Sequence, residues 1–281
     1  MNDSYRLAGV MGWPVAHSVS PWLHRYWLER HGVAGDYVKL AVPPPRLGPA
    51  LRALANLGFA GCNLTIPHKE LALAFIDEVD PDAQTIGAVN TIVVRPNGKL
   101  RGMNSDAFGF IANLRAEAPD WRAVSGPAAV LGAGGAARAV VSALLAEGVA
   151  QLRLVNRHRE RAVALRSAFD GNIAVVPWEE RMAALEGAGL LVNATSLGMA
   201  GGPVLDLPLD RLPREAVVSD IVYTPLETPL LVAARRRGNR VVDGLGMLMH
   251  QGRLGFAAWF GIEPEVTPAL RARMAALLTR P

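Results

Sequence analysis

The sequence predicts an α/β protein of two domains, each built on a mostly parallel sheet, and three observations carry that prediction. Short apolar segments of strand composition alternate with segments whose leucines and alanines recur at helical spacing. A run of small residues at 132–137 follows one apolar segment and opens an alanine-rich one. The 281 residues are 51% hydrophobic with 28 glycines and one cysteine, enough to bury the core of one large or two ordinary domains without an internal disulfide.

Tyr5 to Val10 has strand composition, and Ser20-Pro21 predicts a helix start with serine as N-cap and proline at the first position. A strand near Asp36 to Ala41 follows, then a helix carrying Leu47, Leu51, Leu54 and Leu57, then a buried strand at Gly61 to Ile66. Pro67 suits the first position of another helix, so Lys69 falls in its first turn, where the dipole favours an anion over an ammonium. A lysine so placed is a candidate proton-transfer group, although Lys69 taken alone reads equally well as a surface residue closing a strand-helix junction. Ala88 to Val94 and Lys99 to Asn104 flank Pro96-Asn97-Gly98, which has the composition of a tight hairpin turn. Asn90, Asn104 and Asp106 then join Lys69 as an amine, two amides and a carboxylate supplied from strand ends, a combination that favours a site. The first domain spans residues 1–105, with one antiparallel excursion in its sheet.

Asp106 is expected to cap a helix bearing Phe108, Ile111 and Leu114, which opens the second domain, 106–244. Ala128 to Leu131 is a short buried strand running into Gly132, Ala133, Gly134, Gly135 and Ala136, and the helix beyond extends to Glu147. This is the dinucleotide fingerprint of a Rossmann-like domain with alanine at the third small position: small residues let the backbone approach a pyrophosphate that rests on the helix N-terminus. The next strand, Gln151 to Val155, ends in Asn156-Arg157-His158-Arg159. A cofactor with a free ribose 2′-hydroxyl meets an acidic side chain about 20 residues beyond the glycines. None occurs before Glu160; Arg157 and Arg161, with Arg159 in reserve, offer guanidinium groups suited to a 2′-phosphate, which favours NADP over NAD. Strands at Leu190 to Asn193 and Val217 to Asp220 extend the sheet, and Arg235 to Arg237 end a helix before Gly238, where cations complement the C-terminus. Gly244 to Trp259 and Thr267 to Thr279 read as two closing helices.

The net charge of +4 is dispersed, which argues against nucleic acid. Cys62 and the six histidines show no metal-ligand spacing, so no metal is expected. Gly9, Gly12 and Pro14 interrupt the first apolar run, against a secretory signal, and the charge-free stretch from Gly187 contains Asn193, Pro203 and five glycines, against a membrane span. The expected location is the cytoplasm.

Gly12 to Pro21 with Ser18 and Ser20, Asn63 to Lys69, Gly87 to Thr91 and Asn104-Ser105-Asp106 resemble, in order and spacing, the shikimate dehydrogenase family. The resemblance continues through Gly132 to Arg138, Asn193 to Met199, Asp220 to Leu226 and Gly244 to Gln251, nearly the whole chain. It implies that Lys69 and Asp106 are the catalytic pair and that the two closing helices return to the first domain, giving it residues 245–281. It implies that Ser18, Ser20, Thr65, Asn90, Asn104, Tyr223 and Gln251 bind the substrate's ring hydroxyls and carboxylate in a cleft between the domains. Gly132 to Ala136, Asn156, Arg157, His158, Arg161, Thr195 and Gly244 are then the NADP-binding set. The implied activity is NADPH-dependent reduction of 3-dehydroshikimate to shikimate in aromatic biosynthesis, by a monomer or homodimer. A catabolic quinate/shikimate dehydrogenase and a non-catalytic nucleotide-sensing regulator are the alternatives; retention of Lys69 and Asp106 counts against the second. Three residues depart from the family pattern: Ser105 and His158 each stand where threonine is usual, and Arg25 where asparagine is usual after His24.

Overall fold

The computed structural model describes residues 5–279. They group into two compact units: the chain through Asp106 with Met249–Leu270, and Ala107–Leu248 with the chain from Arg271. The first unit contains strands β1 (Arg6–Gly12), β2 (Gly35–Ala41), β3 (Phe59–Leu64), β4 (Glu78–Val79), β5 (Thr91–Val94) and β6 (Leu100–Met103), in the spatial order β2-β1-β3-β5-β6-β4. The pairs β1-β2, β1-β3 and β4-β6 are parallel. The strand β5 opposes both β3 and β6, and this is the antiparallel excursion that the hairpin composition predicts. Gly98 supplies the turn with a positive φ of 79°, a conformation costly for any residue with a Cβ.

Helices α1 (Ser20–His31), α2 (Leu47–Asn56), α3 (His68–Leu71) and α4 (Pro81–Ile86) accompany this sheet. Leu47, Leu51 and Leu54 lie on one face of α2 and are buried with Cys62, Leu64, Ile92 and Leu100. Leu57 lies one residue past the helix and is exposed, so the apolar stripe is one leucine shorter than the periodicity predicts. Two helix starts also differ from expectation. Ser20 is the first residue of α1 rather than its cap; Val19 takes the cap position, where no side chain can accept from the turn. Pro67 is the cap of α3, not its first residue, and α3 is a single turn. The dipole of so short a segment sums few aligned peptides, so the surroundings of Lys69 come from neighbouring side chains more than from the helix.

Behind β2, an aromatic cluster encloses His24. Its ring stacks on Tyr37 with 3.9 Å between centroids and lies near Trp27, Phe256 and Trp259. Neither ring nitrogen has a hydrogen-bond partner, and burial lowers the imidazole's pKa to about 3. The unfolded chain binds this proton near pH 6.5 and the folded chain does not, so the contribution of His24 to stability is present above pH 6.5 and is lost as pH falls towards 3. The expected slope from this group approaches about 1 kcal/mol per pH unit in that window. His24→Phe should flatten it, measured by urea unfolding with the fluorescence of Trp27 and Trp259 as the probe; an unchanged slope between pH 6 and 4 would exclude His24 as its source.

The second unit is a parallel sheet in the order β12-β11-β10-β7-β8-β9, with strands β7 (Ala128–Leu131), β8 (Leu152–Val155), β9 (Ile173–Val176), β10 (Leu190–Asn193), β11 (Val217–Asp220) and β12 (Arg240–Val242). The central strands β7 and β10 are buried at every position, as expected of a sheet covered on both faces, and alternate residues feed two separate cores. The remaining helices of the chain are α5 (Asp106–Glu117), α6 (Gly135–Ala146), α7 (Arg159–Arg166), α8 (Pro229–Arg237), α9 (Gly244–Phe260), of which residues from Met249 group with the first unit, and α10 (Pro268–Leu278). Gly238 ends α8 in the left-handed conformation after three arginines, the predicted C-terminal arrangement. Of the closing segment expected to return to the first domain, 249–270 groups there, whereas 245–248 and the residues from Arg271 group with the second unit. Within the second unit Arg271 clamps Asp243 at 2.6 Å and approaches Glu117 at 3.7 Å, which ties α10 to it. No helix among the described residues is long and apolar enough to cross a membrane, and no group of three or more metal-ligating side chains occurs among them.

Candidate active site

The strands β3, β5 and β6 end close together in the first unit, and their terminal residues carry the polar groups. Thr65 follows β3, with its backbone N–H donating to Met11. The backbone carbonyl of Lys69 accepts from Val89 N–H at 2.8 Å, tying the turn of α3 to the residues that precede β5. Lys69 Nζ donates to Asp106 Oδ2 at 2.5 Å, a charge-assisted contact between side chains that are 16% and 5% exposed. Asp106 is the first residue of α5 rather than its cap, and its backbone N–H is satisfied by Asn104 Oδ1 at 2.9 Å. Its carboxylate is therefore turned to side chains: Oδ1 accepts from Asn90 Nδ2 at 2.8 Å while Oδ2 takes the lysine.

Asn90 is the hub of this arrangement. Besides Asp106, its Nδ2 lies 2.9 Å from Ser105 Oγ and 3.3 Å from Gln251 Oε1, and its Oδ1 accepts from Ser105 N–H at 2.8 Å and from Thr91 Oγ1 at 2.9 Å. Ser105, where the resembled family has threonine, thus retains the hydroxyl that bonds to Asn90. Lys69, Asn90, Asp106 and Gln251, expected to act together, do form one connected cluster. Asn104 Nδ2 donates to Ala88 O at 2.8 Å. Ser18 and Ser20 pair with each other, Oγ to Oγ at 3.2 Å, and Ser20 N–H donates to Ser18 Oγ at 3.3 Å; both are buried. The Arg25 departure is taken up by a surface ion pair with Asp36 at 2.6 Å. Tyr223 belongs to the second unit.

The expected dinucleotide loop links β7 to α6. Gly132 has φ of +113°, and a Cβ there would stand 2.7 Å from Ala194 O, so the fold itself demands glycine. Gly134 is different: it caps α6 with extended backbone, and a Cβ there would meet nothing within 4 Å. The fold would tolerate alanine at Gly134, and a phosphate approaching the backbone would not; no side chain caps α6, whose first N–H groups are the donors such a phosphate needs. These features fit a dinucleotide. Beyond β8, Asn156 Nδ2 donates to His158 O at 2.8 Å and shapes the turn that presents the exposed Arg157. His158 Nδ1 lies 3.6 Å from the Glu160 carboxylate on the surface, and Arg161 sits in the first turn of α7. Beyond β10, Thr195 Oγ1 donates to Asn193 Oδ1 at 2.7 Å and accepts from Leu197 N–H at 3.0 Å. Gly244 opens α9.

The hydrogen-bond framework behind these groups was not singled out in the sequence. Asn63, within β3, and Thr91, the first residue of β5, are buried polar residues adjoining apolar ones, and that placement is the signal that points to them. Asp220 is another. It accepts from Thr228 Oγ1 at 2.7 Å, Asn193 Nδ2 at 2.9 Å and Val222 N–H at 3.0 Å, while burial raises its pKa to about 6 against the effect of those donors. It ties the loop after β10 to the start of α8.

Residues 10–92 match the family model described as shikimate dehydrogenase substrate binding domain, and residues 122–200 match that of shikimate / quinate 5-dehydrogenase. A protein of Paramagnetospirillum magneticum named shikimate dehydrogenase (NADP(+)) is 57% identical over 272 residues, 97% of this chain and 99% of that one. The structure of shikimate 5-dehydrogenase from Thermus thermophilus, solved with NADP(H) and shikimate, is 41% identical with a TM-score of 0.85 over 97% of this chain and 99% of that one. Quinate dehydrogenase from Corynebacterium glutamicum, solved with NAD, is 30% identical with a TM-score of 0.86 over 97% and 99%. Backbone similarity alone therefore does not separate the two substrates or the two cofactors; side chains must.

Proposed function

This chain belongs to the shikimate dehydrogenase family, and on that premise we propose that it catalyses the NADPH-dependent, reversible reduction of 3-dehydroshikimate to shikimate in the biosynthesis of chorismate and the aromatic amino acids. The observation that carries the proposal is the shielded contact of Lys69 Nζ with Asp106 Oδ2, braced by Asn90 on the other carboxylate oxygen. The cofactor, when bound, supplies the hydride that adds to the ketone carbon. The carbonyl oxygen then needs a proton, and Lys69 Nζ is the donor; in the reverse direction the neutral amine takes the proton of the alcohol. Asp106 holds the amine in place and keeps a positive group at the position where alkoxide charge develops. Thr65, Asn90, Asn104, Tyr223 and Gln251 bind the ring hydroxyls and carboxylate, and Ser18 and Ser20 hold the carboxylate beside the N-terminus of α1. Gly132 to Ala136, Asn156, Arg157, His158, Arg161, Thr195 and Gly244 bind NADP. The protein acts in the cytoplasm as a monomer or homodimer, on a small molecule and without nucleic acid.

The catabolic quinate reading is disfavoured by Arg157 and Arg161, which suit a 2′-phosphate and stand where an NAD site would place an acidic side chain. Quinate also carries an extra hydroxyl on the carbon bearing its carboxylate, which a site fitted to shikimate leaves without a partner at a cost of about 1 to 3 kcal/mol. The test is the absorbance of reduced cofactor formed from shikimate or quinate with NADP or NAD. Shikimate with NADP should have the highest kcat/KM, and Arg157→Ala should lower the efficiency with NADP about tenfold or more while sparing NAD. Equal efficiency with quinate, or with NAD, would overturn the assignment.

A further inference from the structure

Which end of the Asn90 carboxamide faces Asp106 is settled by groups whose hydrogen-bonding sense cannot reverse. Ser105 N–H can only donate, and it lies 2.8 Å from one end of the amide, so that end is oxygen and the other, 2.8 Å from Asp106 Oδ1, is the NH2. One backbone donor decides the ends, and Ser105 Oγ, 2.9 Å from Nδ2 and 3.2 Å from Oδ1, is a hydroxyl that can serve either end. A second anchor is present on the same oxygen: Thr91 Oγ1, 2.9 Å away and completely buried.

The Thr91 hydroxyl is itself braced from further back. Asn63 Nδ2 donates to the backbone carbonyl of Asn90 at 3.1 Å, so it is the nitrogen; its second hydrogen points to Thr91 Oγ1, also at 3.1 Å. Asn63 Oδ1 then accepts from Tyr37 O–H at 2.7 Å. Thr91 Oγ1 accepts from Asn63, and because Asn90 Oδ1 can only accept, the single proton of Thr91 goes to that oxygen at 2.9 Å and not to Ser105 Oγ, which lies 3.4 Å away. Donors thus run in one direction, from Tyr37 and Asn63 through Thr91 to Asn90, and every member of the chain is buried.

Resting on the reading of Lys69 as proton donor, we propose that Thr91 is a positioning residue for the reaction: its hydroxyl, oriented by Asn63, locks the plane of the Asn90 amide, so that Asn90 holds Asp106 Oδ1 and leaves Oδ2 aimed at Lys69. Thr91 touches neither Asp106 nor Lys69 by any hydrogen bond and acts through Asn90. A buried hydroxyl that only satisfied the sheet would affect stability and nothing else. A positioning hydroxyl affects the proton-transfer step in the folded enzyme.

Thr91→Val keeps the shape of the side chain and removes the hydroxyl; Thr91→Ser keeps the hydroxyl and removes a methyl. With shikimate and NADP, Thr91→Val should lower kcat about tenfold, the equivalent of one hydrogen bond, and raise the solvent deuterium isotope effect on kcat as proton transfer becomes limiting. The KM for NADP should be unchanged, and Thr91→Ser should recover kcat to within about threefold. A kcat for folded Thr91→Val within twofold of the parent overturns the proposal, as does a loss that Thr91→Ser does not restore or that leaves the isotope effect unchanged. The Asn90 side-chain NH2 resonances, assigned by their disappearance in Asn90→Ser, provide a readout independent of turnover. Their hydrogen exchange should accelerate at least tenfold in Thr91→Val and stay near the parent rate in Thr91→Ser; unaltered exchange in Thr91→Val also overturns the proposal. If the parent protein fails to oxidise shikimate, the assignment of function fails, while the exchange result still decides the role of Thr91.

Discussion

Lys69→Ala is expected to lower kcat by a factor of about 10² to 10⁴, the usual contribution of a positioned acid or base. The size of the loss follows from what remains. Among the groups hydrogen-bonded within this cluster, Asn90 and Gln251 are amides, Asp106 is an acceptor when ionised and Ser105 is a hydroxyl far less acidic than an ammonium, so none replaces Lys69 as proton donor. The fold should survive, because the bond that ties α3 to the start of β5 uses the backbone carbonyl of residue 69, which alanine retains. Asp106 keeps its bond from Asn90. Steady-state turnover of shikimate with NADP, together with unfolding followed by tryptophan fluorescence, checks both parts. A well-folded variant within tenfold of the parent rate would pass the donor role to water or another group.

Asn90 and Asp106 were legible in the sequence because strand ends are where an apolar run stops and a functional polar group can be presented, and Lys69 because a proline-marked helix start follows the buried strand β3. Gly132 and Gly134 were legible because a strand, small residues and a helix follow in fixed order, but only the structure separates the glycine the fold requires from the one it merely permits. Asn63 inside β3 and Thr91 at the start of β5 were hidden because one polar residue beside an apolar run says nothing about its partners across the sheet. The bond between Asp220, the last residue of β11, and Thr228, the cap of α8, was hidden because a loop of no fixed pattern separates them. The edge strands β4, β9 and β12 escaped prediction: β4 and β12, two and three residues long, carry too little pattern to be read, whereas β9 is as long as β7 and β10, and its length does not explain the miss. The cap positions of α1, α3 and α5 each moved by one residue. For Asp106 that shift matters, since a capping carboxylate would be spent on backbone N–H groups and could not hold a lysine.

Asp106→Asn tests that freedom of the carboxylate, and its effect is argued from the sense of each bond. In the parent, both oxygens accept, one from Asn90 Nδ2 and one from Lys69 Nζ. An amide offers one oxygen and one NH2, so a donor must face a donor. Lys69 as an ammonium has no acceptor to turn round, and Asn90 cannot flip without setting its NH2 against Ser105 N–H. The new amide can satisfy one partner only, and the other leaves its place. A loss in kcat of roughly 10² to 10³ is expected, with a raised KM for shikimate because Asn90 and Lys69 both lose their common anchor. Groups that act as one unit lose their function together, so the double variant Lys69→Ala, Asp106→Asn should be no more than about tenfold slower than the slower single variant. Losses that instead multiply in the double variant would mean that Lys69 and Asp106 serve the reaction separately, and the contact between them would not be the source of catalysis.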